Sequence, residues 1–279
     1  MKLSLSVRVA EPPKQKDILA VPFETLAAKA RALGYAGVSM RASVVSVDSP
    51  PRQVREVRTV LDDLGLAVSM VCGDIPLAAN NAAATQAIRN ITPYLDLTEA
   101  LGGRLVRVMM HTEEDIPHAR RAADEAAERG LSLVHINHWG TLFETIDDSL
   151  ATLKAVGRTN FRVGFEPGNL LGCRAAHGPD DLARLAPHLA NVLFQNLRLD
   201  PASPIVFTSR RHGPVHLSYV PIDDPAGIDI RPLIETLHKV GYEGWFTVHQ
   251  PLFEGQKLDA AMRLAADFLL PRMSAGKMP

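Results

Sequence analysis

The chain has 279 residues, of which 46% are hydrophobic and 22% are charged, and its formal net charge is −1. This composition is typical of a folded globular protein and excludes disorder or a collagen-like repeat as a description of the whole chain. Because the arginines are scattered among acidic residues, no broad basic surface is expected. A nucleic-acid partner is therefore not expected.

Cysteine use and apolar runs bear on the cellular compartment. The chain contains two cysteines, Cys72 and Cys173, and its N-terminus does not combine a basic segment with a long apolar run. No window approaches the roughly 18 uninterrupted apolar residues of a membrane helix. These features predict a protein of the reducing cytoplasm with no membrane partner.

Strand-like and helix-like patterns alternate eight times along the chain. The predicted strands are Leu3 to Val7, Gly37 to Arg41, Ala67 to Cys72, Arg104 to Met110, Leu131 to Asn137, Phe161 to Glu166, Asn191 to Leu197 and Gly244 to Gln250. The predicted helices are Phe23 to Leu33, Pro51 to Leu64, Asn81 to Leu101, Pro117 to Arg129, Leu142 to Val156, Asp180 to Leu189, Ile230 to Val240 and Leu258 to Leu270.

Glycine residues and the unbroken alternation indicate the fold. Six helices end at a glycine, which readily adopts the left-handed conformation that closes a helix: Gly34, Gly65, Gly102, Gly130, Gly157 and Gly241. Eight strand and helix pairs predict an α/β protein, a closed (β/α)₈ TIM barrel formed by one domain over residues 1–279. The alternative, an open doubly wound sheet, usually has fewer strands and a G-x-G-x-x-G turn that is absent here.

The stretch from Asp200 to Gly227 is long for a βα loop. Long ordered loops in compact domains are commonly functional, so we expect this loop, at about residues 200–227, to cover the catalytic face as a lid. A contact between subunits is the alternative. The loop contains basic and imidazole side chains, of which His212 is a candidate for substrate binding, in the set Arg210, Arg211, His212 and His216.

Polar residues at the C-terminal ends of two predicted strands are the best candidates for catalysis. Side chains alternate across a strand, so Glu166 shares a face with Gly164, and His249 shares a face with Thr247. Parallel strands in a barrel are buried on both faces, and a polar tip is therefore better explained by a ligand than by the core. A glutamate paired with arginine and a hydrogen-bonded rim histidine are the structural alternatives.

The fifth strand ends in INHWG, where Asn137 and His138 must lie on opposite faces. His138, nearer the tip, is the better candidate for the barrel mouth, whereas His135 is expected to lie beneath the helices. Asn137 and Trp139 are candidates for binding substrate hydroxyl groups.

Two further polar residues lie near the ends of other strands. Arg107 on the fourth strand and Gln195 on the seventh would orient a substrate, although an arginine in this position can equally form an internal salt bridge. No G-x-S-x-G, P-loop, H-E-x-x-H or C-x-x-C motif is present. Nucleophilic serine or cysteine catalysis and nucleotide hydrolysis therefore have no support in the sequence.

Several segments together resemble the xylose isomerase-like superfamily of TIM barrels, the sugar phosphate isomerases and epimerases with their inosose dehydratase and endonuclease IV relatives. The resemblance covers nearly the whole chain. It depends on LAAKARALGYAGVSMR (26–41), VREVRTVLDDLGLAVSM (54–70), INHWGTLFET (136–145), VGFEPGNLL (163–171) and IDIRPLIETLHKVGYEGWFTVHQ (228–250).

The resemblance implies a divalent metal held by Glu, Asp, His and Glu on the fifth to eighth strands. In this sequence those positions fall on Ile136, Glu166, the neighbourhood of Leu193, and His249. A site of Glu166, His249 and His138 would favour zinc, iron or manganese over magnesium. The alternative is that no metal is bound and the histidines act directly as acid and base.

The resemblance further implies an enzyme that removes a proton next to a carbonyl of a sugar or polyol, as an isomerase, epimerase or dehydratase. Glu166, His249 and His138 would be its catalytic residues. The alternative is a catalytically silent barrel that binds a sugar-like metabolite or serves as a subunit of a complex. Apolar positions near the C-terminus predict a homodimer, namely Phe268, Leu269 and Leu270.

Overall fold

The computed structural model describes residues 1–12 and 15–274, and these residues form a closed barrel of eight parallel strands. The predicted TIM barrel is thus confirmed. Seven barrel strands are β1 (Lys2–Ser6), β2 (Gly37–Arg41), β3 (Ala67–Cys72), β4 (Leu105–Val108), β5 (Ser132–Ile136), β6 (Phe161–Phe165) and β7 (Leu189–Phe194). The eighth is β11 (Trp245–Val248), which pairs with both β7 and β1 and closes the barrel.

Helices surround the barrel. They are α1 (Phe23–Ala32), α2 (Pro51–Asp63), α3 (Ile75–Ala79), α4 (Gln86–Arg89), α5 (Thr92–Ala100), α6 (Ile116–Glu128), α7 (Ile146–Val156), α8 (Pro167–Gly172), α9 (Pro179–Leu185), α10 (Arg231–Lys239) and α11 (Leu258–Ser274). All six glycines predicted to close helices have positive φ, from +62° at Gly65 to +88° at Gly34. At Gly157 the backbone N–H donates to the carbonyl of Leu153 and caps α7.

The single helix predicted from Asn81 to Leu101 is wrong. A short 3₁₀ turn, Ala82–Thr85, leads into α4, and Asn90 then adopts an extended φ of −137° that ends the helical path. Pro93 lies in the first turn of α5, where its missing N–H costs no helical hydrogen bond. The run of apolar residues is shared by three short elements and not by one long helix.

Apolar side chains fill the barrel interior below the C-terminal ends of the strands. Its apolar layer consists of Met70, Leu105, Val134, Ile136 and Leu193, all at most 8% exposed. Phe161, Val163 and Phe165 face the opposite way and belong to the core between strands and helices, as the period of two predicts. Because this packing leaves no channel, the space available to a ligand lies at the C-terminal ends of the strands.

The long connection predicted between the seventh strand and the following helix contains a small antiparallel sheet. Its strands, in the order β8-β10-β9, are β8 (Leu197–Leu199), β9 (Ile205–Ser209) and β10 (Gly213–Tyr219). Four buried residues form its inner apolar cluster, against which the indole of Trp139 packs: Leu197, Phe207, Val215 and Leu217. The alternation of residues 205–209 and 213–219 explains these strands, since one face is buried and the other is exposed.

The structure does not provide the exposed apolar side chains on which the predicted dimer depends. Leu269 is fully buried in the chain's own core, and Phe268 and Leu270 are partly buried against it. These side chains therefore do not form the exposed apolar surface that the prediction required. Within the described residues, no helix is both long enough and apolar enough to cross a membrane.

Candidate active site at the carboxyl ends of the barrel strands

A narrow cavity with about 30 Å³ of free space lies at the C-terminal ends of the barrel strands. It is bounded by polar and charged side chains that follow several different strands, and by the α3 segment. Its lining residues are Arg8, Lys16, Arg41, Ala78, Ala79, Asn80, Arg107, Ile136, His138, Trp139, Glu166, Asn169 and His249.

Glu166 lies at the base of this cavity. It follows β6 directly, and Pro167 begins α8, so the backbone turns away while the side chain stays on the inner face. The residue is 0% exposed, and its Oε1 atom has no hydrogen-bond partner in the described part of the chain. Burial raises the pKa of this carboxyl group from 4.5 to about 7, although the positive charges of Arg8, Arg107 and Arg41 act in the opposite direction. The group can therefore gain or lose a proton near neutral pH.

A chain of hydrogen bonds holds Glu166 and connects it to the small sheet. The Nδ2 atom of Asn169 donates to Oε2 of Glu166 at 3.3 Å, and Nε2 of Gln195 donates to Oδ1 of Asn169 at 2.9 Å. The Oε1 atom of Gln195 accepts from Nη1 of Arg8 at 3.2 Å, and Nη2 of Arg8 donates to the Tyr219 hydroxyl at 3.0 Å. Gln195 is thus positioned to orient Asn169 and Arg8 without lining the cavity.

Among the described residues, four cationic side chains line the cavity. Arg41 is buried and forms a two-pronged ion pair with Glu11, at 2.7 and 3.0 Å. Arg107 is 3% exposed, donates through Nη1 to the Sγ atom of Cys72 at 3.8 Å, and has an unpartnered Nε. The Nζ atom of Lys16 donates to the carbonyl of Ala78 at 3.0 Å. Burial and the neighbouring arginines lower the pKa of Lys16 to about 8.

Two histidines complete the polar lining. His249 follows β11, is 5% exposed, and has an unpartnered Nδ1. The Nδ1 atom of His138 lies 2.6 Å from Nδ2 of Asn80. Burial lowers the pKa of both imidazoles well below 6.5, with the positive charge of Arg107 adding to the shift, so both are neutral near pH 7. Trp139 stacks on Phe207 with ring centroids 3.7 Å apart and joins this wall to the small sheet.

The structure places Glu166, His249, His138, Trp139 and Arg107 around one cavity. Other sequence candidates lie elsewhere. Asn137 is buried on the outer face of the barrel and donates to Oγ of Ser149 at 3.0 Å. His135 lies beneath the helices, stacked on Phe143. His212 is exposed at the turn between β9 and β10, away from the cavity, as are its neighbours Arg210 and Arg211.

Residues not singled out from the sequence also line the cavity: Arg8, Lys16, Arg41, Asn80 and Asn169. For two of them the sequence contains a pattern that indicates a position at the site. Arg41 is a charged residue at the tip of a buried strand, and Asn169 follows Glu166 by three positions in a helical turn, which places both on one side. Lys16 and Asn80 lie in connecting segments whose path the local pattern does not predict.

The residues present do not fit the divalent metal that the superfamily resemblance implies. Two of the four expected ligand positions are Ile136 and Leu193, which pack in the apolar interior. No three His, Cys, Asp or Glu side chains within residues 1–12 and 15–274 are grouped so as to hold an ion. Of the residues that the structure describes, Glu166 is the sole carboxylate that lines the cavity, and it faces four cationic groups that would repel a divalent ion.

The raised pKa of Glu166 predicts a measurable dependence of stability on pH. The folded state binds the proton more tightly than the unfolded state, so stability is fully present below pH 4.5 and is lost as pH rises through about 7. At 1.36 kcal/mol per pKa unit, a shift from 4.5 to about 7 corresponds to roughly 3 kcal/mol. Urea unfolding of the wild type and of Glu166→Gln at pH 4 and pH 8 measures this effect. We expect the unfolding free energy of the variant, relative to that of the wild type, to be larger at pH 8 than at pH 4 by about that amount. An unchanged difference would show that Glu166 titrates normally in the folded protein.

Comparisons with known proteins agree with this architecture. The family model for xylose isomerase-like TIM barrels matches residues 27–271. The rhizopine catabolism protein MocC of Rhizobium meliloti is 28% identical in an alignment 262 positions long, and the match covers 81% of this chain and 74% of that protein. Inosose dehydratase of Geobacillus thermodenitrificans is 26% identical over 145 residues, 49% of this chain and 47% of that protein.

A solved structure shows the same fold over the full length. The xylose isomerase-like TIM barrel protein of Mycobacterium smegmatis, in complex with magnesium, has a TM-score of 0.72 at 17% identity, covering 99% of this chain and 98% of its own. Together with the family match over residues 27–271, this establishes that the chain belongs to the xylose isomerase-like TIM barrel family.

Proposed function

We propose that this protein is an enzyme that transfers a proton at the carbon next to a carbonyl group of a sugar- or polyol-derived substrate. The observation that carries the proposal is Glu166, a fully buried carboxyl group with one unpartnered oxygen in a cavity lined by cationic side chains. The proteins similar to this chain include an inosose dehydratase, which supports this substrate class. Isomerisation, epimerisation and dehydration can each proceed through such a proton transfer.

Each cavity residue has a role in this chemistry. Glu166, with a pKa near 7, removes the proton when ionised and returns it when protonated. Removing that proton places negative charge on the carbonyl oxygen, which the cationic side chains that line the cavity can stabilise. His249 and His138 are neutral, so each can donate a hydrogen bond to a substrate hydroxyl group, accept one from it, or relay a second proton.

The superfamily metal has no part in this proposal. Because the cavity residues do not fit a divalent ion, the electrophilic role is assigned to the cationic side chains. Asn169, held by Gln195, keeps the Glu166 carboxylate in a fixed rotamer through the hydrogen bond at 3.3 Å. Trp139 and the small sheet behind it cover one side of the cavity.

Solvent exchange tests the proposal without knowledge of the product. Ketoses, inososes and their acid and phosphate forms are incubated with the protein in D₂O, and proton NMR follows deuterium incorporation next to the carbonyl. We expect exchange with at least one compound, faster than in buffer alone. Exchange that requires an added divalent metal and stops with EDTA would contradict the assigned roles. Binding without exchange on the whole panel would instead favour the catalytically silent barrel.

A further inference from the structure

The cavity holds more positive charge than its own residues neutralise. Glu11 compensates Arg41, but Arg8, Lys16 and Arg107 form no ion pair with any described residue. None of their hydrogen-bond partners is a carboxylate: a glutamine oxygen and a tyrosine hydroxyl accept from Arg8, a backbone carbonyl accepts from Lys16, and the sulfur of Cys72 accepts from Arg107. Glu166 is the one carboxyl group facing these three cations across the cavity.

Arg107 is the most informative of these groups. It extends from β4 into the barrel mouth and is 3% exposed, and its Nε atom has no hydrogen-bond partner within residues 1–12 and 15–274. A buried guanidinium without an anionic partner is costly, because a charge removed from water loses its hydration. Such a group is typical of a site where a ligand supplies the missing negative charge.

A neutral polyol would not supply that charge. Its hydroxyl groups offer dipoles to three cations, whereas a carboxylate or phosphate can accept two parallel hydrogen bonds from a guanidinium. Polar groups such as Asn80, His138 and His249 remain available for the hydroxyl groups of the same molecule.

From these observations we infer that the substrate is a hydroxylated anion, a sugar acid or a sugar phosphate, whose charged group is bound by Arg107 together with Lys16. The inference rests on the proposed function for the site but concerns binding and not turnover. Lys16 lies at the half-buried rim, next to the carbonyl of Ala78, where it can meet an entering anion. Arg8 and Arg41 add to the positive potential around that group.

Isothermal titration at constant ionic strength tests the inference with three six-carbon probes: D-gluconate, D-glucitol 6-phosphate and neutral D-glucitol. We expect at least one anion to bind about 10- to 100-fold more tightly than glucitol, as charge-assisted hydrogen bonds imply. The tighter anion identifies the class, carboxylate or phosphate. Glucitol binding as tightly as both anions, or failure of both anions to bind, would overturn the inference.

Variants locate the binding group. Arg107→Gln and Lys16→Gln should each reduce the preference for the anion at least several-fold, whereas Arg52→Gln, on the exposed face of α2, should preserve it. Lys16→Gln removes one half-exposed side chain from a loop and keeps the test valid should Arg107→Gln not fold. A preference unchanged in Lys16→Gln and in any folded Arg107→Gln protein would overturn the assignment.

Glu166→Gln separates this inference from the proposed function. The variant removes the cavity's carboxyl group and leaves the cations intact, so anion binding should be retained or tightened. Retained anion preference with full deuterium exchange in Glu166→Gln would overturn the proposed role of Glu166 alone. Loss of the anion preference in a folded Glu166→Gln protein would overturn the inference about the substrate.

Discussion

Replacement of Glu166 by Gln should lower kcat/KM for deuterium exchange by about 10²- to 10⁴-fold, the usual contribution of a general acid–base group. Gln preserves the volume of the side chain and an oxygen that can accept the hydrogen bond from Asn169. It cannot take up a proton, so the loss should appear mainly in kcat. Proton NMR of the wild type and the variant in D₂O, on the compound that exchanges fastest, measures the effect.

Two further variants make this result specific. Glu166→Asp retains an ionisable group at a shifted position and should keep more activity than Glu166→Gln. Glu56→Gln makes the same chemical change on the exposed surface of α2 and should have wild-type activity. Full activity of a folded Glu166→Gln protein would remove Glu166 from the mechanism, and failure of that variant to fold would make Glu166 a structural residue.

Removal of Glu11 should have the largest effect on stability. Its carboxylate accepts from Nε and Nη2 of Arg41, and the two side chains are 3% and 2% exposed. Glu11→Ala would leave Arg41 buried without a counter-charge, for which a loss of about 3–5 kcal/mol in unfolding free energy is expected. Urea unfolding monitored by circular dichroism measures this loss, provided that the transition stays two-state.

Two further variants serve as controls for the effect of Glu11→Ala on stability. Glu56→Ala breaks an exposed ion pair with Arg52 and should change stability little, because water and salt screen that pair. The double variant Glu11→Ala, Arg41→Met removes both charges and should be more stable than Glu11→Ala alone. If the single variant is as stable as wild type, the ion pair is not what compensates Arg41.

Local patterns predicted the barrel well. The period of two placed Phe161, Val163 and Phe165 on the helix side of β6, and the glycines after six helices all adopt the left-handed conformation. These features depend on residues near each other in the chain, which is why they can be recognised from sequence. The break at Asn90 was missed because the apolar periodicity continues across it, although Pro93 marks the start of a new helix.

The small sheet was missed for a different reason. Residues 197–219 contain basic side chains and turns that suggest an irregular loop, whereas Phe207 and Val215 become buried only because they face each other and Trp139. Cross-strand pairing joins residues whose contact depends on the path of the chain between them. The sequence alone consequently predicts a substrate-binding role for His212, whereas the pairing of β9 with β10 places this residue at an exposed turn.

The sequence by itself determined the alternation of strands and helices, and it placed Glu166 and His249 at strand tips, because side-chain periodicity is a property of the local backbone. Only the tertiary structure decided that Arg8, Lys16 and Arg107 converge on the same cavity as Glu166. Charge and burial act through space and not along the chain, so the pKa of Glu166 near 7 and the positive potential around it arise only when the barrel closes.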